Sequence, residues 1–370
     1  MNLLNGVNLR ISERLQLGKL VTPLPDRARP VYRWFQIKES FSSGLVRLLA
    51  ETWGLAEGDR VLDPFCGAGT TLLACKELGL DCTGFDVHPL FLLASRVKTR
   101  SYDVGEMRAA AVELMGARPE RQEADAPGFV SRVFLPRVLS EVSFFRRKIL
   151  GVEDAGVREF LLLGLVNAAM ECSWARKDGA AIKVVKGSVP PLVKTLERRL
   201  LEMCGDLEQI EVKGSKVEVE RRDARKLEFE DGSVSAVITS PPYLAKQEYV
   251  HAYRIEQWIA GLEGPSQEEL VGGGELESSG TLAEVYFKDM SAAIGEVYRV
   301  CGSGARVCLV VSDGCFPDGP VEVCVRLSEI AEDAGFKAKQ VVVVNRRQCT
   351  TPARRKVGVA KEALLMWEKR

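Results

Sequence analysis

The segment VLDPFCGAGTT, residues 61–71, constrains the fold most. A short apolar run ends in an acid, passes through two closely spaced glycines, and enters a run with helical spacing. That order predicts a strand over Arg60–Asp63, a tight turn, and a helix over Thr70–Leu78. A second strand over Cys82–Val87 and a helix from Pro89 follow, proline being suited to a first helical turn. A β-turn-α-β-α run opens a doubly wound parallel sheet.

The turn also limits its ligand. Small residues let the backbone approach a bound molecule and adopt unusual φ/ψ. The helix start turns free N–H groups toward it. A phosphate grip would need G-x-G-x-x-G or a lysine before Ser/Thr, and neither is present. Seventeen residues past Gly69 the second strand ends in Asp86. An acid at that place accepts hydrogen bonds from ribose hydroxyls.

Further along, AVITSPPYL, residues 236–244, is an apolar strand running into Ser240-Pro241-Pro242-Tyr243. Two prolines remove two N–H donors, so the loop presents carbonyl acceptors with few competing donors. That suits a substrate that is itself an N–H donor. The Tyr243 ring offers a flat face for stacking an extruded base.

DPFCGAGTT, GFDVHP and SPPY together resemble the amino-group nucleic-acid methyltransferases, the N4/N6 DNA methylases. The resemblance is firm over residues 59–100 and 215–260. It implies a Rossmann-like class I methyltransferase fold: α/β, a mostly parallel seven-stranded sheet with helices on both faces. It implies S-adenosylmethionine as cofactor and S-adenosylhomocysteine as product. Asp63, Pro64, Phe65, Gly67, Gly69 and Thr70 would wrap the methionine and sugar, Asp86 the ribose, and Asp223 the adenine amino group. Phe41 and Ser42 would line the methionine end. Ser240, Pro241, Pro242 and Tyr243 would be catalytic. Ser-Pro-Pro-Tyr is typical of cytosine N4 enzymes, which favours cytosine N4 in DNA; adenine N6 and a structured RNA are the alternatives. A Pro-Cys dipeptide, on which C5-methylating enzymes rely, is absent.

The strand-helix rhythm breaks over 103–212, which reads as mainly helical. The expected division is 1–102 and 213–370 for the methyltransferase domain and 103–212 for an insertion that helps recognise substrate. Formal net charge is zero, from 51 basic and 51 acidic residues, so polymer binding needs local basic clusters. Candidates are Arg176 and Lys177 with Lys183 and Lys186, then Arg221, Arg222, Arg225 and Lys226, and Arg346, Arg347, Arg354 and Arg355 with Lys356. His251 is assigned no role.

Ten scattered cysteines without a C-x-x-C pair, and only two histidines, argue against a metal site. They read as reduced, small core residues. No run of about 18 apolar residues predicts a membrane span, and MNLLNGVNLRISERLQ lacks the apolar core of a secretory signal. The expectation is a cytoplasmic protein that acts on nucleic acid.

Overall fold

The computed structural model describes residues 10–121, 123–178, 181–244, 252–273, 279–350 and 355–370. Its strands are β1 (Arg10–Glu13), β2 (Arg60–Asp63), β3 (Asp81–Asp86), β4 (Ala175–Asp178), β5 (Ala181–Val184), β6 (Val217–Arg221), β7 (Val234–Thr239), β8 (Cys301–Ser312), β9 (Gly314–Phe316), β10 (Gly319–Val321), β11 (Phe336–Thr350) and β12 (Lys356–Lys369). Eight of them form one sheet in the order β1-β11-β12-β8-β7-β2-β3-β6. The run β6-β3-β2-β7-β8 is parallel, and β12 lies antiparallel to both β8 and β11.

These are the seven expected strands plus β1, which pairs parallel to the outer edge of β11 from Arg10↔Gln340 to Glu13↔Val343. Four residues, RISE, are too few to show alternation, and the edge they cover is supplied by the far end of the chain.

Strand order reverses at β2, whose neighbours are β3 on one side and β7 on the other. In open α/β sheets a crevice forms there, beyond the carboxyl ends of the strands. The register Val61↔Ala236 and Leu62↔Val237 brings the turn after Asp63 alongside the segment after Thr239. Burial on both faces explains the apolar strand sequences. Val61, Ala236 and Ile238 pack with the helices Ser43–Trp53 and Thr70–Leu78. Leu62, Val237 and Val307 pack with the helices Ser279–Val300 and Val323–Asp333 on the other side.

Between β3 and β6 come the helices Pro89–Thr99, Val104–Gly116, Gly128–Ser131, Pro136–Leu150, Ala155–Glu171 and Leu192–Gln209, interrupted by the β4–β5 hairpin. Their apolar faces join residues 31–37 and the helix Arg254–Ala260 in one cluster around Phe145, Phe160 and Leu163. Buried Asp206 fastens the N-terminal segment to this cluster. It accepts from the Val31 backbone N–H at 3.2 Å, Arg33 Nε at 2.9 Å and Trp34 Nε1 at 2.8 Å.

Ser42 occupies the cap position of the Ser43–Trp53 helix, but its hydroxyl donates to the Leu20 carbonyl. The helix start is capped instead by Asp26, which accepts from the Ser43 N–H at 2.6 Å and the Ser43 hydroxyl at 2.8 Å. The cysteines are not all free: Cys315 in β9 and Cys349 in β11 form a disulfide, because the β9–β10 hairpin folds back over the tail of β11. The other eight are buried thiols. Among the described residues no helix is long and apolar enough to cross a membrane.

Candidate active site

The turn after β2 takes its shape from two glycines. Gly67 has φ +50° and Gly69 φ +75°, a region that L side chains rarely enter. Space forbids a side chain at Gly69 as well, since a Cβ would sit 2.9 Å from Ser95 Oγ and 3.1 Å from Ser95 Cα. That close approach lets the Ser95 hydroxyl donate to the Gly67 carbonyl at 2.6 Å. Beneath the turn, the buried ammonium of Lys98 donates to the Ala68 carbonyl at 3.0 Å and to the Phe35 carbonyl. It ties the turn to the N-terminal segment, and burial lowers its pKa to about 7.

Two carboxylates face the turn from the strand ends. Asp63 is 2% exposed and accepts from the Thr239 hydroxyl at 2.6 Å and the Phe65 N–H at 3.2 Å, both at Oδ1. Asp86 accepts from the Gly67 N–H at 2.9 Å and the His88 N–H at 2.8 Å. Burial pushes each acid up to about 6, against the pull of these hydrogen bonds. His88 is stacked on Phe91 with ring centroids 4.0 Å apart, and burial lowers its imidazole to about 3.

One cleft, partly open to solvent, collects most of the residues singled out from the sequence. Asp63, Pro64, Phe65, Gly67, Thr70, Asp86, Asp223 and Phe41 border it, together with Ser240, Pro241 and Pro242. Gly69 lies in the supporting turn. Ser42 is fully buried and absent from the wall, because its hydroxyl is turned to Leu20. The Tyr243 ring is not on the wall either. It is 8% exposed, with its hydroxyl 3.4 Å from Glu362 Oε1, so the stacking face expected from the sequence is packed inside the protein. Asp223 borders the cleft while paired with Arg225 at 2.6 Å, and Arg225 reaches Asp289 at 3.0 Å.

Sequence reasoning missed Glu39, His88, Phe91, Leu270 and Val271, which also border the cleft. His88 was within reach, being part of the GFDVHP segment. Leu270 and Val271 belong to a Gly- and Glu-rich stretch that reads as plain loop; the ion pair Arg221–Glu269 at 2.6 Å holds it against the sheet.

Of the basic candidates Arg222 borders this cleft, and the outer two clusters stand apart from it. Arg346 pairs with Glu13 at 3.1 Å, and Arg347 donates to the Asp313 carbonyl at 3.2 Å. Arg176 donates to the carbonyls of Ser173 and Ala175. Lys177 pairs with Glu256 at 2.5 Å. Arg355 is exposed, and Arg354 lies outside the described residues. No group of three or more His, Cys, Asp or Glu placed to hold a metal occurs among the described residues.

The cleft fits S-adenosylmethionine in charge: the buried carboxylate of Asp63 and the half-buried one of Asp86 suit a ligand with a sulfonium and an ammonium. The N6/N4 methylase family model, described as DNA methylase, matches residues 43–95, which hold the whole Gly-rich turn and Asp86. The Type II methyltransferase M.BsoBI of Geobacillus stearothermophilus is 26% identical, covering 95% of this chain and 88% of that protein. The Type II methyltransferase M.AvaI of Nostoc sp. is 22% identical over 91% and 85%. A tRNA (guanine(10)-N2)-dimethyltransferase of Methanothermobacter thermautotrophicus is 33% identical over 21% of this chain and 24% of its own. The chain resembles the N6/N4 DNA methylases, and it is an S-adenosylmethionine-dependent methyltransferase.

Proposed function

We propose that this protein methylates the exocyclic amine of a base in DNA, with cytosine N4 as the acceptor atom. The observation that carries the reading is the position of Ser240 and Pro241 on the same cleft as Asp63 and Asp86, at the end of the strand beside β2.

The amine of cytosine has its lone pair delocalised into the ring and is a poor nucleophile. The Ser240 hydroxyl oxygen and the Pro241 carbonyl oxygen each accept one of its N–H bonds. Held so, the amine turns toward tetrahedral geometry and its lone pair is freed for in-line attack. When bound, S-adenosylmethionine would supply the methyl group of its sulfonium and leave as S-adenosylhomocysteine, the amine losing one proton to solvent. Asp86 holds the ribose, and the charge of Asp63 favours the cationic cofactor. Tyr243, packed behind the loop, braces the tetrapeptide. Residues 103–212 serve as the substrate-recognition region between the two parts of the catalytic domain, 1–102 and 213–370.

Serine at the first catalytic position favours cytosine over adenine N6. The family match described as DNA methylase favours DNA over a structured RNA. The RNA-modifying relative aligns with a fifth of the chain, whereas the Type II methyltransferases align with more than nine-tenths of it. The test is to incubate the protein with methyl-labelled cofactor and duplex DNA, transfer RNA or ribosomal RNA, then digest each to nucleosides. Label is expected in N4-methyldeoxycytidine. Label in N6-methyldeoxyadenosine overturns the base, and label confined to RNA overturns the polymer.

A further inference from the structure

We infer that residues 266–273 form the wall on which the adenine ring of S-adenosylmethionine lies, with Leu270 on the ring face. Arg225 is the positioning residue that ties this wall to Asp223. The inference rests on the cofactor and its place at Asp86, and not on the base or the polymer.

The sheet sets the direction. Its strand order β7-β2-β3-β6 places Ser240, the Gly-rich turn, Asp86 and Asp223 in that sequence along one row of strand ends. A methyl group within reach of Ser240 and a ribose on Asp86 leave the position beyond β6 for adenine. The cleft is bordered there by Arg222, Asp223 and Ala224, and by Glu269, Leu270 and Val271.

Arg225 joins three elements at this end. Its Nη2 donates to Asp223 Oδ2 and to the Glu268 carbonyl, each at 2.6 Å, and its Nη1 donates to Asp289 Oδ2 at 3.0 Å. Asp289, in the helix Ser279–Val300, also accepts from the Gly272 N–H at 2.8 Å. Arg221 adds a second clamp, on Glu269 at 2.6 Å. Within the segment the Ser266 N–H donates to the Glu269 carboxylate at 2.8 Å and the Gly273 N–H to the Leu270 carbonyl at 2.9 Å. Val271 is 7% exposed and belongs to the apolar cluster of Tyr286 and Leu244. Leu270, beside it, is half-buried and borders the cleft.

Adenine presents apolar faces and a polar edge. Leu270 suits a face, and the Asp223 carboxylate suits the amino group on the edge, which only donates. Both contacts must be met at once, so the wall and the acid need a fixed separation. A planar guanidinium with its donors in a rigid fork supplies that separation, which a single ammonium does not.

The test is calorimetric titration with S-adenosylhomocysteine and with S-inosylhomocysteine, in which an oxo group replaces the adenine amine. Wild type is expected to bind the adenosyl ligand about tenfold or more tightly, since only its amine donates to Asp223. L270A is expected to weaken both ligands alike by about fivefold to twentyfold, because both rings present the same face. R225M is expected to cut the preference for the adenosyl ligand by at least about fivefold. Thermal melts check the fold, and R225K, which keeps the charge but not the fork, makes the same comparison where R225M does not fold. L270A that binds both ligands as wild type does overturns the wall. An Arg225 variant with the wild-type ratio, or with tighter adenosyl binding, overturns the positioning role. Wild type without a preference takes adenine away from Asp223 and the inference with it. Wild type that binds neither ligand overturns the cofactor reading itself.

Discussion

Replacing Asp63 with asparagine removes a charge from the driest part of the cleft while keeping the shape of the group. The hydrogen bonds that Asp63 accepts from the Thr239 hydroxyl and the Phe65 N–H arrive at Oδ1, which an amide retains as its carbonyl oxygen. Burial raises the acid from its ordinary 3.8 to about 6. Ionised Asp63 therefore costs the folded state about 3 kcal/mol above pH 6. Asp63→Asn should be more stable than wild type by up to that amount at pH 8, worth about 4 °C in Tm for a chain of 370 residues. As pH falls, the wild-type carboxyl takes up its proton in the folded state first. The advantage should shrink below pH 6 and vanish near pH 4. Cofactor affinity should move the other way, falling in the variant because a cationic ligand loses its counter-charge. Thermal melts from pH 4 to pH 8, paired with calorimetric titration of S-adenosylmethionine, read both effects. A variant no more stable than wild type at pH 8, or an advantage that ignores pH, refutes the argument.

Gly69→Ala should lose about 1–3 kcal/mol of stability, since it combines a left-handed φ with a methyl 2.9 Å from Ser95 Oγ. It should also weaken cofactor binding; an unchanged Tm would show that the turn relaxes freely. Ser240→Ala should lower kcat by about a hundredfold or more and leave cofactor affinity near wild type. Equal loss of both, measured by titration and labelled-methyl turnover, would make the loop a purely structural feature.

Chemistry written contiguously was legible in the sequence, and chemistry assembled across the chain was not. The strand-turn-helix around Gly67 and the SPPY loop each carry their signal within about ten residues, and the sheet places them side by side. Asp26 caps the Ser43–Trp53 helix from 17 residues upstream, so no local pattern marks it. Lys98 reads as a surface lysine near the end of a helix, yet it lies on the buried side and clamps two carbonyls. The hairpin strands β4 and β5 hold four residues each, too short to reveal a period of two. Tyr243 shows the opposite failure: the tetrapeptide was recognised, but burial decided which way its ring faces.

The Asp206 anchor fixes an order of events during synthesis. Residues 31–34 leave the ribosome early, while the carboxylate that receives Val31, Arg33 and Trp34 follows some 175 residues later. At about 5–20 residues per second this is a delay of roughly 10–35 s. Until then the aromatic segment before Ile37 and Phe41 has no partner for its indole or guanidinium, and that wall of the cleft cannot be set. A nascent chain that has already made its Gly-rich turn is thus still without a complete cofactor site. The helix that carries Asp206 delays binding competence until more than half of the 370 residues are made.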